Sequence, residues 1–297
     1  MALDLGKFAS IVRVGDGAWG TQLQAHLPAG GCPELLNVDN AAVVEAVAAS
    51  YVEAGSDVIL TNTFGANRFV LAGHGLADRT AELAEAGAAI SRRAADKAGR
   101  DVKVFASIGP TGKIVMMGEV SPDEYAEAFY ETAAALARGG ADAIVLETFA
   151  ELDEIAMALE AVRSAVQLPV VASMTFASGP DGTDTMMGNS PADLAQAARD
   201  GQAAGIGANC GAGPDNYIRV AAMLREASDL PIWIKPNAGR PVVGADGKTV
   251  FPMGSDEFAA RVTQLIDAGA TMIGGCCGTT PDHIRAVRST VDARKKG

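Results

Sequence analysis

Cations are scarce in this chain: 24 Lys and Arg stand against 36 Asp and Glu, a formal charge of -12 over 297 residues. Nucleic acid and anionic membrane surfaces need a basic footprint, so neither is expected as a partner. The short run Arg294-Lys295-Lys296 does not change that, and the acidity reads as a means of solubility. Long apolar segments are also missing. With 48% hydrophobic and 20% charged residues, no stretch is long enough to cross a bilayer. Met1 to Ser10 carries Asp4 and Lys7 and has no apolar signal core, so the expected location is cytoplasmic. Four cysteines are too few for a disulfide scaffold, and in a reducing compartment a clustered set points to metal binding or catalysis. Histidine is rarer still: His26 and His74 fall in loops and His283 follows a helix cap, each expected in a solvated polar role.

What the chain does have is a regular alternation. Short runs rich in Val and Ile alternate with alanine-rich stretches of helical period, the pattern of βα units on a parallel sheet. Eight strands are predicted: 12–17, 57–64, 102–109, 143–149, 169–176, 205–210, 231–237 and 272–276. Helix stops recur at Gly55, Gly140, Gly205 and Gly269, since glycine tolerates the left-handed backbone that closes a helix. Helix starts are marked by Ser121-Pro122, Ser190-Pro191 and Thr280-Pro281, a capping hydroxyl before a proline. The long connections follow strands (19–40, 65–77, 114–120, 177–189 and 240–254), which concentrates loop length on one face. The expected fold is therefore α/β, a (β/α)₈ TIM barrel forming a single domain over 1–297, with chemistry at the carboxyl ends of the strands. An open doubly wound sheet is the alternative.

Cys210 ends the sixth predicted strand, and Cys276 and Cys277 end the eighth; only Cys32 lies elsewhere. In a barrel those two strand ends converge on one pocket. Three thiolates without histidine suggest zinc with an open fourth position, suited to a substrate sulfur. Such a site is a poorer Lewis acid than a histidine and carboxylate site. It still keeps a bound thiol deprotonated and nucleophilic, which points to alkyl transfer onto sulfur. Adjacent residues of a regular strand face opposite ways, so Cys276 and Cys277 share one metal only if the backbone turns; Gly274, Gly275 and Gly278 supply that freedom. Buried small side chains and a vicinal disulfide are the competing readings.

The chain resembles the homocysteine S-methyltransferase family over almost its whole length. The carriers are Asp16-Gly-Ala-Trp-Gly-Thr21, Thr61-Asn-Thr-Phe64, Gly109-Pro-Thr-Gly112, Glu147-Thr-Phe149, Asn209-Cys-Gly211, Lys235-Pro-Asn-Ala-Gly239 and Gly274-Gly-Cys-Cys-Gly-Thr-Thr-Pro281. It is more similar to the homocysteine-binding barrel of cobalamin-dependent methionine synthase than to the betaine enzyme. The resemblance implies zinc on Cys210, Cys276 and Cys277, with homocysteine as acceptor and methionine as product. It also implies Asp16 and Glu147 against the substrate ammonium, a role suited to carboxylates. Amides near Gly17 and Ala18 would hold the substrate carboxylate. Asn209 and Asn237 are expected to line the pocket, with a turn role as the alternative. Met116-Met117 and Met186-Met187 offer either an adaptable docking surface or, by default, buried packing.

The methyl donor stays open. The sequence carries no Asp-x-His-x-x-Gly cobalamin signature, so a methylcorrinoid on a separate partner protein is one expectation. S-methylmethionine, S-adenosylmethionine or betaine is the other. Two readings of other kinds remain: a barrel lyase forming a Schiff base on Lys235, and a non-catalytic zinc or thiol sensor.

Overall fold

The structure, a computed structural model, describes residues 3–28, 30–244 and 248–295. Lys296 of the basic run and 245–247 of the loop 240–254 lie outside them. Parallel strands form one 8-stranded sheet. They are β1 (Arg13–Val14), β2 (Val58–Ile59), β3 (Lys103–Ile108), β4 (Ala143–Phe149), β5 (Val170–Met174), β6 (Gly205–Cys210), β7 (Ile232–Pro236) and β8 (Met272–Ile273). From β2 to β8 each pairs with its neighbour in sequence, and β1 pairs with β8, Arg13 opposite Met272. The ring closes between β1 and β2, where Asp57 N donates to Val14 O (2.7 Å) and Val14 N donates to Asp57 Oδ2 (2.9 Å). This is the expected (β/α)₈ barrel and not an open sheet. The spacing Gly15-x-Gly17-x-x-Gly20 after β1 imitates a dinucleotide fingerprint, but the helix it opens, Gly20–Leu23, is 4 residues long.

The strands are buried on both faces, as a parallel sheet wrapped by helices requires. Phe105 of β3 stacks on Trp233 of β7 with ring centroids 5.8 Å apart, a contact that crosses the barrel interior. Phe8, on the short helix Leu5–Phe8, packs against Phe105 at 6.1 Å and closes the amino end of the barrel. Burying rings of this size contributes roughly 2–3 kcal/mol each. The other end is left for the site.

Ser121, Ser190 and Thr280 cap the helices Pro122–Arg138, Pro191–Asp200 and Pro281–Arg294, each in a reciprocal capping box. In the last of these the partner is His283, which corrects its solvated role. It is buried, with Nδ1 3.2 Å from Thr280 N and Nε2 3.0 Å from Met253 O. Gly55, Gly140 and Gly269 adopt the left-handed backbone expected of helix stops. Gly205 does not: it lies inside β6, and Gln202 (φ 52°) makes that turn instead.

The long connections after strands fold into local structure on one end. The segment after β1 contains Gly20–Leu23, a 3₁₀ turn at Pro33–Leu35 and Leu36–Asp39, and the segment after β7 forms a hairpin, Val242–Val243 with Thr249–Val250. Met116, Met117 and Met186 are exposed at 79%, 66% and 76%, so burial within the loops is not their role. No helix among the described residues is long and apolar enough to cross a membrane.

Candidate active site

A cavity of about 360 Å³ opens at the carboxyl ends of the strands. Its wall includes Cys210, Cys276, Cys277, Glu147 and Lys235, and the segment after β1 closes it with Trp19 and Glu34. Side chains separated by over 250 residues meet there because the barrel brings every strand end to one rim.

The three sulfurs of Cys210, Cys276 and Cys277 lie within 4.8 Å of one another. Two local distortions bring them together. Cys210 ends β6 with φ 66°, in the left-handed region that costs a non-glycine residue about 1–2 kcal/mol. β8 ends at Ile273, well before the predicted 276, but the chain keeps contact with both neighbours: Gly275 N donates to Asp16 O (2.9 Å) and Cys276 N to Pro236 O (2.8 Å). The turn comes next, at Cys277 and Gly278, where φ is 79° and an added Cβ would lie 2.2 Å from Phe251 Cβ. A side chain at 278 would therefore clash as well as strain the backbone.

The donor set suits a soft divalent cation. Sulfurs at about 2.3 Å from a tetrahedral zinc stand about 3.8 Å apart, a spacing within the 4.8 Å that bounds this triangle. The cluster holds its protons unevenly. Hydrogen bonding with Cys276 and then Cys277 pushes Cys210 down to about 3. The bond with Cys210 raises Cys277 to about 11, and bonds with Cys210 and then Cys277 lift Cys276 well above the ordinary thiol range. A cation would release the two remaining protons and make all three sulfurs ligands. Beside the triangle Asn237 places Nδ2 3.7 Å from Cys210 Sγ, and its buried Oδ1 has no hydrogen-bond partner among the described residues. Asn237 thus stands against the sulfur cluster and not in the cavity wall.

Glu147, near the end of β4, is 7% exposed and lines the cavity. Ser107 Oγ donates to its Oε1. Burial raises its carboxyl above the ordinary range, and the Lys235 ammonium opposes that rise. The next residue, Thr148, is left-handed at φ 67°. Asn209 holds it: Thr148 N donates to Asn209 Oδ1 (2.8 Å), and Asn209 Nδ2 donates to Thr148 Oγ1 (2.6 Å). Ser173 Oγ also donates to Asn209 Oδ1 (2.7 Å). Asn209 is completely buried behind the wall, with its amide committed to these neighbours.

Asp16 is likewise fully buried and faces inward contacts only. Its Oδ2 accepts from Trp19 Nε1 (2.6 Å) and Leu60 N (2.7 Å), and its Oδ1 is ion-paired with Lys235 Nζ. Gly17 and Ala18 line the cavity, but Ala18 N already donates to Thr279 Oγ1 (3.1 Å). Of the Asp16–Lys235 pair, Lys235 is the member that reaches the cavity wall. Its ammonium is engaged by Asp16, an arrangement unlike the free amine a Schiff base requires.

Ser107, Trp19, Thr148 and Glu34 were not singled out from the sequence. Glu34 is 4% exposed; its Oε1 accepts from Gly65 N (2.7 Å) and its Oε2 from the Cys32 thiol (3.4 Å). Lys235 carried a legible signal, a lone charge ending the apolar run Ile232-Trp-Ile, two residues from Trp233 and so on the same face.

With this geometry in view, comparison with known proteins is specific. The family model described as homocysteine S-methyltransferase matches residues 13–291. Methionine synthase from Mycobacterium tuberculosis is 37% identical over 297 residues, which cover 94% of this chain and 24% of that protein. Methionine synthase from Mycobacterium leprae is 37% identical over 304 residues, 97% of this chain and 25% of its own length. The chain thus spans about a quarter of these curated relatives. In fold it is similar to the metallated homocysteine methyltransferase MmuM from Escherichia coli, with TM-score 0.77, 23% identity and coverage of 94% and 96% of the two chains. It is also similar to a methyltransferase from Methanosarcina mazei, with TM-score 0.62, 15% identity and coverage of 98% and 97%.

Proposed function

The chain belongs to the homocysteine S-methyltransferase family, and we propose that it is a zinc-dependent enzyme that methylates homocysteine to methionine. The observation that carries this reading is the triangle of Cys210, Cys276 and Cys277 in a cavity also lined by Glu147. Zinc held there would supply an open position where a substrate thiol is kept as thiolate at neutral pH.

The protein's own residues do the rest. Glu147, oriented by Ser107, receives the amino end of the substrate. Trp19 and the segment after β1 exclude water from the cavity. The substrate sulfur then attacks the methyl carbon in line: the S–C bond forms as the bond from methyl to donor breaks, and the electron pair leaves with the donor. Orientation supplies much of the rate, since a bound thiolate meets the methyl group without a bimolecular search.

As methyl donor we propose a methylcorrinoid carried by a partner protein, a reading in keeping with the 37% identity to a protein named methionine synthase. The barrel would act as one domain, and its cluster of free thiols suits a reducing, cytoplasmic setting. The test is a donor screen with zinc-loaded protein and homocysteine. Methylcobalamin, free or on a corrinoid protein, is expected to yield methionine. Turnover only with S-methylmethionine, S-adenosylmethionine or betaine would replace the donor, and turnover with none would favour a thiol sensor.

A further inference from the structure

We infer that the loop after β3, with Met116 and Met117 in its 3₁₀ turn, is the docking surface for the protein that carries the methyl donor. Glu151 and Glu154 hold that loop in the shape the partner meets. This surface lies outside the cavity, and its assignment rests on the proposed function.

Among the described residues, the large apolar side chains left exposed, Ile11 and Tyr130 apart, all belong to segments that follow strands. They include Phe64 after β2, Ile114, Met116 and Met117 after β3, Met186 after β5 and Val243 after β7. In a barrel those segments ring the end that carries the site. Phe64 joins rim and site, being 43% exposed while also lining the cavity. Single apolar side chains scattered over a surface need no explanation, but a set confined to one end marks an interaction site.

The methionines are held out on preformed turns. Thr111 N (2.8 Å) and Thr111 Oγ1 (2.6 Å) both donate to Oε1 of the buried Glu154. Val115 N donates to Glu151 Oε2 (2.9 Å) and Met116 N to Glu151 Oε1 (3.3 Å). Both carboxylates stand at the start of the helix Leu152–Ala165, so the next unit of the barrel fixes the loop at two points. Met186 sits on a turn closed by Gly188 N to Thr185 O (2.9 Å) and Thr185 N to Asn189 O (2.9 Å). A surface fixed before contact loses less entropy on binding, and the flexible thioethers still adapt to the partner's shape.

The occupant follows from position and area. A second copy lying across the mouth would seal the cavity against its own substrates. The exposed apolar side chains present on the order of 800 Å², the share of one partner in a standard interface and short of an obligate one. A partner that binds and leaves fits both facts. A cobalamin, with its macrocycle and side arms, is larger than a cavity of about 360 Å³, so its methyl group is presented at the rim by the protein that holds it.

The test measures methionine formation by zinc-loaded protein with free methylcobalamin and with methylcobalamin on the cobalamin-binding module of a methionine synthase. Met116→Gln, Met117→Gln and Met186→Gln are combined in one variant. They change exposed side chains only, and turnover with the free donor reports the folded, active fraction. With the protein-bound donor kcat/KM is expected to fall about 10- to 100-fold, mainly through KM, and with the free donor to stay within about twofold. Leucine at the same three positions should keep most of the wild-type value. Glu151→Ala should lower kcat/KM for the protein-bound donor alone, with faster amide exchange at Val115 and Met116. Equal losses with both donors, or no loss with the protein-bound one, would overturn the inference and leave the functional reading intact. So would a wild type that uses only the free donor. A wild type that uses neither would remove the corrinoid reading together with the docking surface.

Discussion

Asn209 on β6 reaches past β5 to Thr148 on β4, donating Nδ2 to its Oγ1 (2.6 Å) and receiving its backbone N–H (2.8 Å). The contact ties two left-handed residues together, Thr148 at φ 67° and Cys210, adjacent to Asn209, at φ 66°. One buried amide thus fixes the backbone beside both Glu147 and the first sulfur. Asn209→Ala removes three hydrogen bonds and leaves the half-buried Thr148 N–H without its acceptor. The expected loss is about 3 kcal/mol in chemical denaturation, together with weaker zinc binding. A variant as stable as wild type would show that the strained turns hold without the amide.

Glu147 sets a pH dependence. Burial raises its folded-state carboxyl above the ordinary value of 4.5, so ionising it costs more in the folded chain than in the unfolded one. Its contribution to stability is complete below the ordinary value and is lost as pH rises through the raised one. Glu147→Gln should therefore gain stability over wild type as pH rises above the ordinary carboxyl value of 4.5. The same variant should lose about 10- to 100-fold in kcat/KM for homocysteine. Parallel stability curves at all pH values would contradict the assignment.

The sulfur triangle should take up one zinc per chain. Cys276→Ala is expected to lower zinc affinity by more than about 100-fold, since losing a ligand costs at least as much as losing its supporting contact. Competition with a chelator of known affinity measures this. Stoichiometric zinc of undiminished affinity in that variant would place the metal elsewhere.

His283 tests the fold. Its ring completes the capping box with Thr280 and reaches Met253 O at 3.0 Å, tying the last helix to the segment after β7. His283→Ala should cost about 1–2 kcal/mol in thermal or chemical unfolding. A neutral outcome would leave the ring as mere filling.

The barrel was legible because its signals are local. Capping serines, stop glycines and Val/Ile runs each act within a few residues, and β4 and β6 fall where their sequence places them. The cysteine cluster was legible because its residue type is rare and its positions end strands. What escaped depends on the register of distant elements. Asp16 and Lys235 are 219 residues apart, and nothing near either one announces the pair. His283 looked exposed because its buried partner, Met253, belongs to another loop. The end of β8 was overrun because Gly274 and Gly275 keep hydrogen bonds to both neighbouring strands while leaving regular geometry.

The central claim is that the three cysteines hold a zinc whose remaining position belongs to the substrate sulfur. X-ray absorption at the zinc edge tests it most directly, with zinc-loaded protein measured before and after homocysteine is added. Three sulfur ligands becoming four is the predicted result, and a sulfur count that stays the same would contradict it.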